Sequence, residues 1–229
     1  YGAGGYGNTP NMTPHLAIVL FNHVLLLPDS ADAGNLPVRA RVRIPDAWQY
    51  DTPVRGERPE PGLVVLPEMS AATLVDSPFF TGEFSRLIPL TARVPATRLS
   101  IFADASADLA IKDEDIARMR RAVAEAEALF GVQHYRHYTW LVGLGDTLTT
   151  NGVEHHESTD IRTKESLFTK PEYMQQWASV FTHEYVHSWN GKYRRPEGLT
   201  HGNFQEPLED NLLWVYEGMT RYLGDFVVR

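Results

Sequence analysis

Two histidines and a glutamate stand close together at His183-Glu184-Tyr185-Val186-His187. On a helix, positions i and i+4 share one face, so the two imidazoles project side by side with the Glu184 carboxylate next to them. Such a set can hold a divalent cation through two neutral ring nitrogens. It also keeps a carboxylate beside the water that attacks a substrate, which is what zinc-dependent hydrolysis requires. A catalytic zinc site takes three protein ligands and leaves one position open. A third histidine just downstream would need Gly at 190 and His at 193, and the chain has Asn190 and Tyr193 there. A glutamate on a later helix is the other common solution. Glu217, within Leu213-Trp214-Val215-Tyr216-Glu217-Gly218-Met219-Thr220, leads the candidates. Its apolar neighbours predict a helix buried on several sides, where a lone carboxylate is costly unless it is paired or bound to a metal. Glu206 and Glu209 are alternatives at the helix start, where carboxylates often serve the dipole. An i,i+4 ion pair between Glu217 and Arg221 is the structural alternative.

The elements that position these residues can be sketched from periodicity. A helix is expected from Pro171 to about Asn190, since proline suits a first turn. Its face carries Val180, His183, His187 and Asn190. Another is expected from about Pro207 to Val228. An earlier helix is capped by Asp113, carries Ile116, Met119, Val123, Ala126 and Phe130 at helical spacing, and ends at Gly131. Upstream, residues 15–102 read as β structure. Val38, Ala40, Val42 and Ile44 alternate with arginines, and Leu16–Phe21, Leu63–Leu66, Leu99–Ala103 and Tyr138–Val142 are further strands. Gly143 to Thr150 is a loop, and the Gly-rich opening is irregular. The class is therefore α+β. A β-rich part over residues 1–105 is followed by a mixed α/β part over 106–229.

Composition narrows the possibilities. The chain has 229 residues, 43% hydrophobic, with a net charge of −8 and no cysteine. Disulfides, thiolate metal sites and a cysteine nucleophile are excluded. The absence of a basic stripe argues against nucleic acid as a partner. No apolar run approaches the roughly 20 residues of a membrane span, and no signal peptide is visible. The compartment stays open, and the first residue, Tyr1, points to a processed or excised chain. Asn11-Met12-Thr13 fits a glycosylation acceptor, a triplet common by chance.

Taken together, several motifs resemble the glycyl aminopeptidase family of gluzincin zinc metallopeptidases. They are His183-Glu184-Tyr185-Val186-His187-Ser188-Trp189-Asn190, Arg194-Arg195-Pro196, and Trp214 with Glu217-Gly218 and Thr220-x-Tyr222. Leu74-Val75-Asp76-Ser77-Pro78 and Gly152-Val153-Glu154-His155 fit the same pattern. The resemblance implies a thermolysin-like catalytic domain preceded by a β-rich domain. One zinc ion per chain would be held by His183, His187 and Glu217, with Glu184 as base. It also implies that Gly152 and Glu154 lie on an edge strand that binds substrate backbone, with Glu154 holding the free amine. Here His155 replaces the asparagine usual in the related aminopeptidase N group, so only the glutamate's role carries over. Family members are longer at both ends and often carry a downstream PDZ domain, so the chain matches as a fragment. The residue that stabilises the oxyanion is not assigned by these motifs.

The expected activity is zinc-dependent peptide hydrolysis by an aminopeptidase, with Gly or Ala at the substrate N-terminus suggested by the resemblance alone. Asn190 and Thr220 would orient the ligands. One rival is an endopeptidase with the same metal site, in which Glu154 contacts substrate backbone. The other is a non-catalytic, zinc-stabilised interaction module whose fourth ligand would be His134 or His201. The presence of Glu184 weighs against the second, since a structural site needs no base. Tyr173, Trp177 and Phe168 are either pocket-lining or core aromatics.

Overall fold

The computed structural model describes residues 11–28, 32–200, 204 and 207–227. The Gly-rich opening up to residue 10, His201, Glu206 and the expected helix end at Val228 lie outside the described residues.

The first part is built of short strands: β1 (Leu16–Val19), β2 (Pro37–Val38), β3 (Arg41–Arg43), β4 (Gln49–Asp51), β5 (Glu57–Glu60), β6 (Leu63–Val65) and β7 (Met69–Ser70). A five-residue helix, α1 (Ala71–Val75), is capped by the Ser70 side chain, which accepts the Thr73 N–H. Strands β8 (Phe79–Gly82), β9 (Phe84–Pro89) and β10 (Ala96–Ala103) follow. They form small sheets ordered β1-β8-β4, β3-β6-β5 and β2-β7. The run expected as one strand from Val38 to Ile44 is divided between β2 and β3, which pair with different partners.

The second part brings α2 (Asp113–Phe130), β11 (His137–Leu144), β12 (Asn151–Glu154), β13 (Ser158–Thr163) and α3 (Pro171–His187). Helix α2 ends on Gly131 at φ 69°, the left-handed cap expected there. Its N-cap is Lys112 rather than Asp113, which is the first helical residue and, with Glu114 and Asp115, puts negative charge in the first turn. The chain closes with a π-helical turn over Val215–Met219 leading into α4 (Thr220–Val227). The last helix therefore starts later than Pro207. Residues 207–210 are irregular and exposed, and Glu209 N–H bonds the Gly198 carbonyl.

A five-stranded mixed sheet, ordered β12-β13-β11-β10-β9, carries the architecture. Its inner strands β10, β11 and β13 are parallel, and α2 makes the crossover from β10 to β11. The edges β9 and β12 are antiparallel. Two of the five strands thus precede residue 106. Central β11 is buried along its whole length, as a strand covered on both faces must be. Tyr138, Trp140, Val142 and Leu144 face the helices in a core with Met119, Val123, Phe181 and Tyr185. On the other face, Leu141 and Phe102 pack against Leu16, Ile18 and Phe80 of the β1-β8-β4 sheet. Each such side chain contributes about 1.5–3 kcal/mol on burial, so this cluster fastens the small sheets to the mixed one. Phe168 is buried in the main core and Trp177 packs against it, as core aromatics rather than a pocket lining.

Candidate active site

Helix α3 delivers the first three groups. Met174, Phe181, Tyr185 and Val186 bury its inner side, which fixes its rotation and turns His183 and His187 toward α4. Their Nε2 atoms are 3.1 Å apart. Glu217 Oε2 lies 3.3 Å from His183 Nε2 and 3.5 Å from His187 Nε2. Three ligand atoms from two distant segments therefore converge on one point. Glu209 does not join them, because it sits in the irregular segment against Gly198. The expected Glu217–Arg221 ion pair is also not what forms, since Arg221 reaches Asp225 at 3.5 Å.

Helix α4 reaches α3 because position 224 is glycine. A Cβ there would lie 3.1 Å from His183 Cα and 3.2 Å from its nitrogen, so the two backbones touch behind the ligand. The Glu217 segment is not buried on several sides. Thr220, Gly224 and Val227 are buried against the fold, whereas Trp214, Met219 and Tyr222 are exposed, and so is Glu217 itself. The apolar residues around Glu217 form one packed stripe and one open face, as the amphipathic period of α4 requires.

The π turn depends on Asn190. In a π turn the bonding pattern shifts from i→i−4 to i→i−5, and such turns often occur at functional sites. Asn190 Nδ2 donates to the Val215 carbonyl at 3.0 Å and to Thr220 Oγ1 at 2.9 Å. The carbonyl of the same Asn190 accepts from His187 Nδ1 at 3.1 Å. Thr220 Oγ1 lies 3.3 Å from that ring nitrogen. Placing the proton on Nδ1 leaves the Nε2 lone pair of His187 facing the convergence point. The structure thus gathers Asn190 and Thr220 around His187 and the turn that presents Glu217.

Two imidazole nitrogens and a carboxylate oxygen suit zinc in donor type and number. The local charge suits a dication as well. Glu154, Glu184 and His187 bring a second set of ligand atoms within 4.8 Å of one another, so several carboxylates crowd a small volume. Burial, then the neighbouring Glu154, Glu217 and Asp160, push the Glu184 carboxyl up to about 9, against the opposing effect of Lys192.

Strand β12 forms the facing wall. It is the sheet edge, antiparallel to β13, with Gly152 opposite Ile161 and Glu154 opposite Thr159. Gly152 faces Glu184 and Val180 across a gap that would not hold a Cβ. Glu154 accepts a hydrogen bond from Tyr216 Oη at 2.5 Å. Burial raises the Glu154 carboxyl, but Lys192, His187 and the Tyr216 hydroxyl outweigh it and hold the group below its usual range.

Sequence reasoning missed three residues here. Asp76, at the end of α1, takes Lys192 Nζ at 2.9 Å, His155 Nδ1 at 3.2 Å and the His156 N–H at 2.8 Å. It thereby ties the β-rich part to both ends of the site, next to Glu154 and just past His187. Asp76 carried only a motif match, and neither Lys192 nor Tyr216 carried any signal except proximity to the zinc motif. His134 stands apart from the convergence point. Its Nε2 lies 3.1 Å from Ser188 Oγ and its ring stacks on Tyr193 at 4.5 Å.

The fold is similar to that of an aminopeptidase N family protein from Idiomarina loihiensis. The TM-score is 0.76 and the sequence identity 21%, over 93% of this chain and 37% of that one. It is also similar to an M1 zinc metallopeptidase from Deinococcus radiodurans, with a TM-score of 0.56 and 14% identity, over 94% of this chain and 47% of that one. The chain spans less than half the length of either. At these identities the likeness is one of α+β fold. Residues 176–229 match the model of the M61 glycyl aminopeptidase family. That segment carries His183, Glu184, His187 and Glu217, so the similarity to the family falls on the residues that converge in the site. No protein curated for function matches it significantly in sequence. Among the described residues, no helix is long and apolar enough to cross a membrane.

Proposed function

We propose that this chain carries the zinc and base half of a peptidase that removes residues from peptide N-termini, with Gly or Ala as the favoured first residue by family resemblance. The observation that carries the proposal is the convergence of His183 Nε2, His187 Nε2 and Glu217 Oε2 within 3.1–3.5 Å, beside the buried Glu184. His183, His187 and Glu217 would hold one zinc ion. When bound there, zinc supplies Lewis acidity toward the scissile carbonyl and positive charge among Glu154, Glu184 and Glu217.

The remaining work falls to the chain's own groups. Glu184 takes the proton of the attacking water at a carboxylate oxygen and passes it to the leaving amine. Gly152 lets the edge strand approach Glu184 closely enough for an extended peptide to lie along β12. Glu154 binds the free ammonium and so places the first peptide bond, and no later one, beside Glu184. Asn190 and Thr220 hold the His187 ring and the π turn in place.

Two measurements on the full-length protein test this. Glu184→Gln should retain zinc and lose nearly all turnover, and substantial activity would remove Glu184 as the base. N-acetylated peptides should be rejected relative to unblocked ones. Equal cleavage of both would replace the aminopeptidase by the endopeptidase.

A further inference from the structure

Tyr216 touches His187, Asn190, Gly191 and Glu154 without belonging to the expected ligand set. Its backbone lies in the π turn next to Glu217, and its carbonyl is 3.5 Å from Asn190 Nδ2. Its ring packs on the His187 ring, with centroids 4.6 Å apart and planes tilted by 36°. The ring also fills the space over Gly191, at φ 134°, where a Cβ would lie 2.7 Å from its Cε2 and 2.8 Å from its Cζ. Its hydroxyl donates to Glu154 Oε1 at 2.5 Å.

These contacts lock the phenol between a helix-borne ligand and an edge strand. An edge strand is held on one side only, so β12 alone fixes its side chains poorly. Gly152 packs its backbone against α3 but has no side chain to orient Glu154. Tyr216 restrains the Glu154 side chain itself, because its ring is braced by His187 and Gly191 and its hydroxyl binds the Glu154 carboxylate.

We infer that Tyr216 is the positioning residue that sets Glu154 at a fixed distance from His187, and so makes the site count one residue from a peptide's free ammonium. This rests on the proposed aminopeptidase function and deepens it. An ammonium held by Glu154 is bound alike in the ground and transition states, so loosening Glu154 should appear in KM rather than in kcat.

The test uses full-length protein with Tyr216→Phe, Glu154→Gln and the double variant, assayed on alanyl peptides with free and N-acetylated termini. Tyr216→Phe should keep its zinc and raise KM for the unblocked peptide about tenfold, the scale of a lost hydrogen bond to a charged group. Its kcat should change much less, and its preference for the unblocked peptide should shrink by a similar factor. In the Glu154→Gln background the same substitution should add nothing, because its effect passes through Glu154. Unchanged KM and preference in Tyr216→Phe would overturn the inference while leaving the aminopeptidase function standing. Effects that multiply in the double variant, or loss of zinc, would overturn it too. Wild-type protein that cleaves both peptides equally would overturn the aminopeptidase function and this inference with it.

Discussion

Gly152 and Glu184 stand so close that a Cβ on the first would lie 2.8 Å from Oε1 of the second, and equally near Val180 Cγ1. Strand and helix meet at the carboxylate proposed as the base. Gly152→Ala should therefore displace Glu184 or push β12 outward. We expect kcat to fall by about 10²-fold, the scale of a misplacement of around 1 Å, with zinc content intact. Unchanged kcat would show that the strand can give way freely.

Removing the third ligand should act on the metal instead. Glu217→Ala leaves two imidazoles and should weaken zinc binding by on the order of 100-fold or more, since even the groups behind a ligand are worth 10–100-fold. Equilibrium dialysis against a zinc buffer reads this directly. Full occupancy at unchanged affinity would remove Glu217 as the third ligand.

Asp76 is the test of whether the β-rich part is needed by the site. Asp76→Ala strands Lys192 and His155, whose side chains are mostly buried. Breaking such a pair costs about 3 kcal/mol, measurable as a fall in the denaturant midpoint. Burial alone would raise the Asp76 carboxyl, but His155, Lys192 and the His156 N–H hold it well below the usual carboxylate range. A carboxyl lowered on folding stabilises above its unfolded pKa and loses that contribution as pH falls through the folded one. The variant should therefore differ most from wild type above about pH 4. The gap should close in stronger acid.

Acid should also act through His134. Burial, then the neighbouring His156, pull its ring down to about 4 from an ordinary 6.5. Between those values the unfolded chain binds a proton that the folded one does not, so stability rises with pH across that window. The melting temperature of metal-free protein should drop between about pH 6.5 and 4. His134→Gln should flatten part of that slope, and an unaltered slope would assign it to other groups such as His137.

Local periodicity reveals much of this molecule. The i,i+4 histidines, the left-handed Gly131 cap and the proline at the start of α3 are decided within a few residues, and each appears where the pattern puts it. What stays hidden depends on remote contacts. Strand β13 reads Ser-Thr-Asp-Ile-Arg-Thr, yet all six residues are buried. Its polarity is tolerated partly because Asp160 pairs with Arg162 at 3.1 Å, so no apolar alternation marks it. The π turn is equally silent, because a side chain 25 residues earlier completes its bonding. Asp76 meets Lys192 across 116 residues of chain, a pairing that composition cannot foretell.

The order of the mixed sheet bears on how such a protein can be dissected. Strands β9 and β10 come from the first half of the chain but lie against β11 in the second. A cut near residue 105 would strip two strands from one flank of β11, leaving an apolar ladder without a partner where the parallel sheet is deepest. The two halves are thus not modules that could be exchanged or expressed separately. Trimming from the N-terminus could go no further than Phe84 before the sheet beneath α3 came apart, and a graft of this site onto another scaffold would have to carry all five strands along.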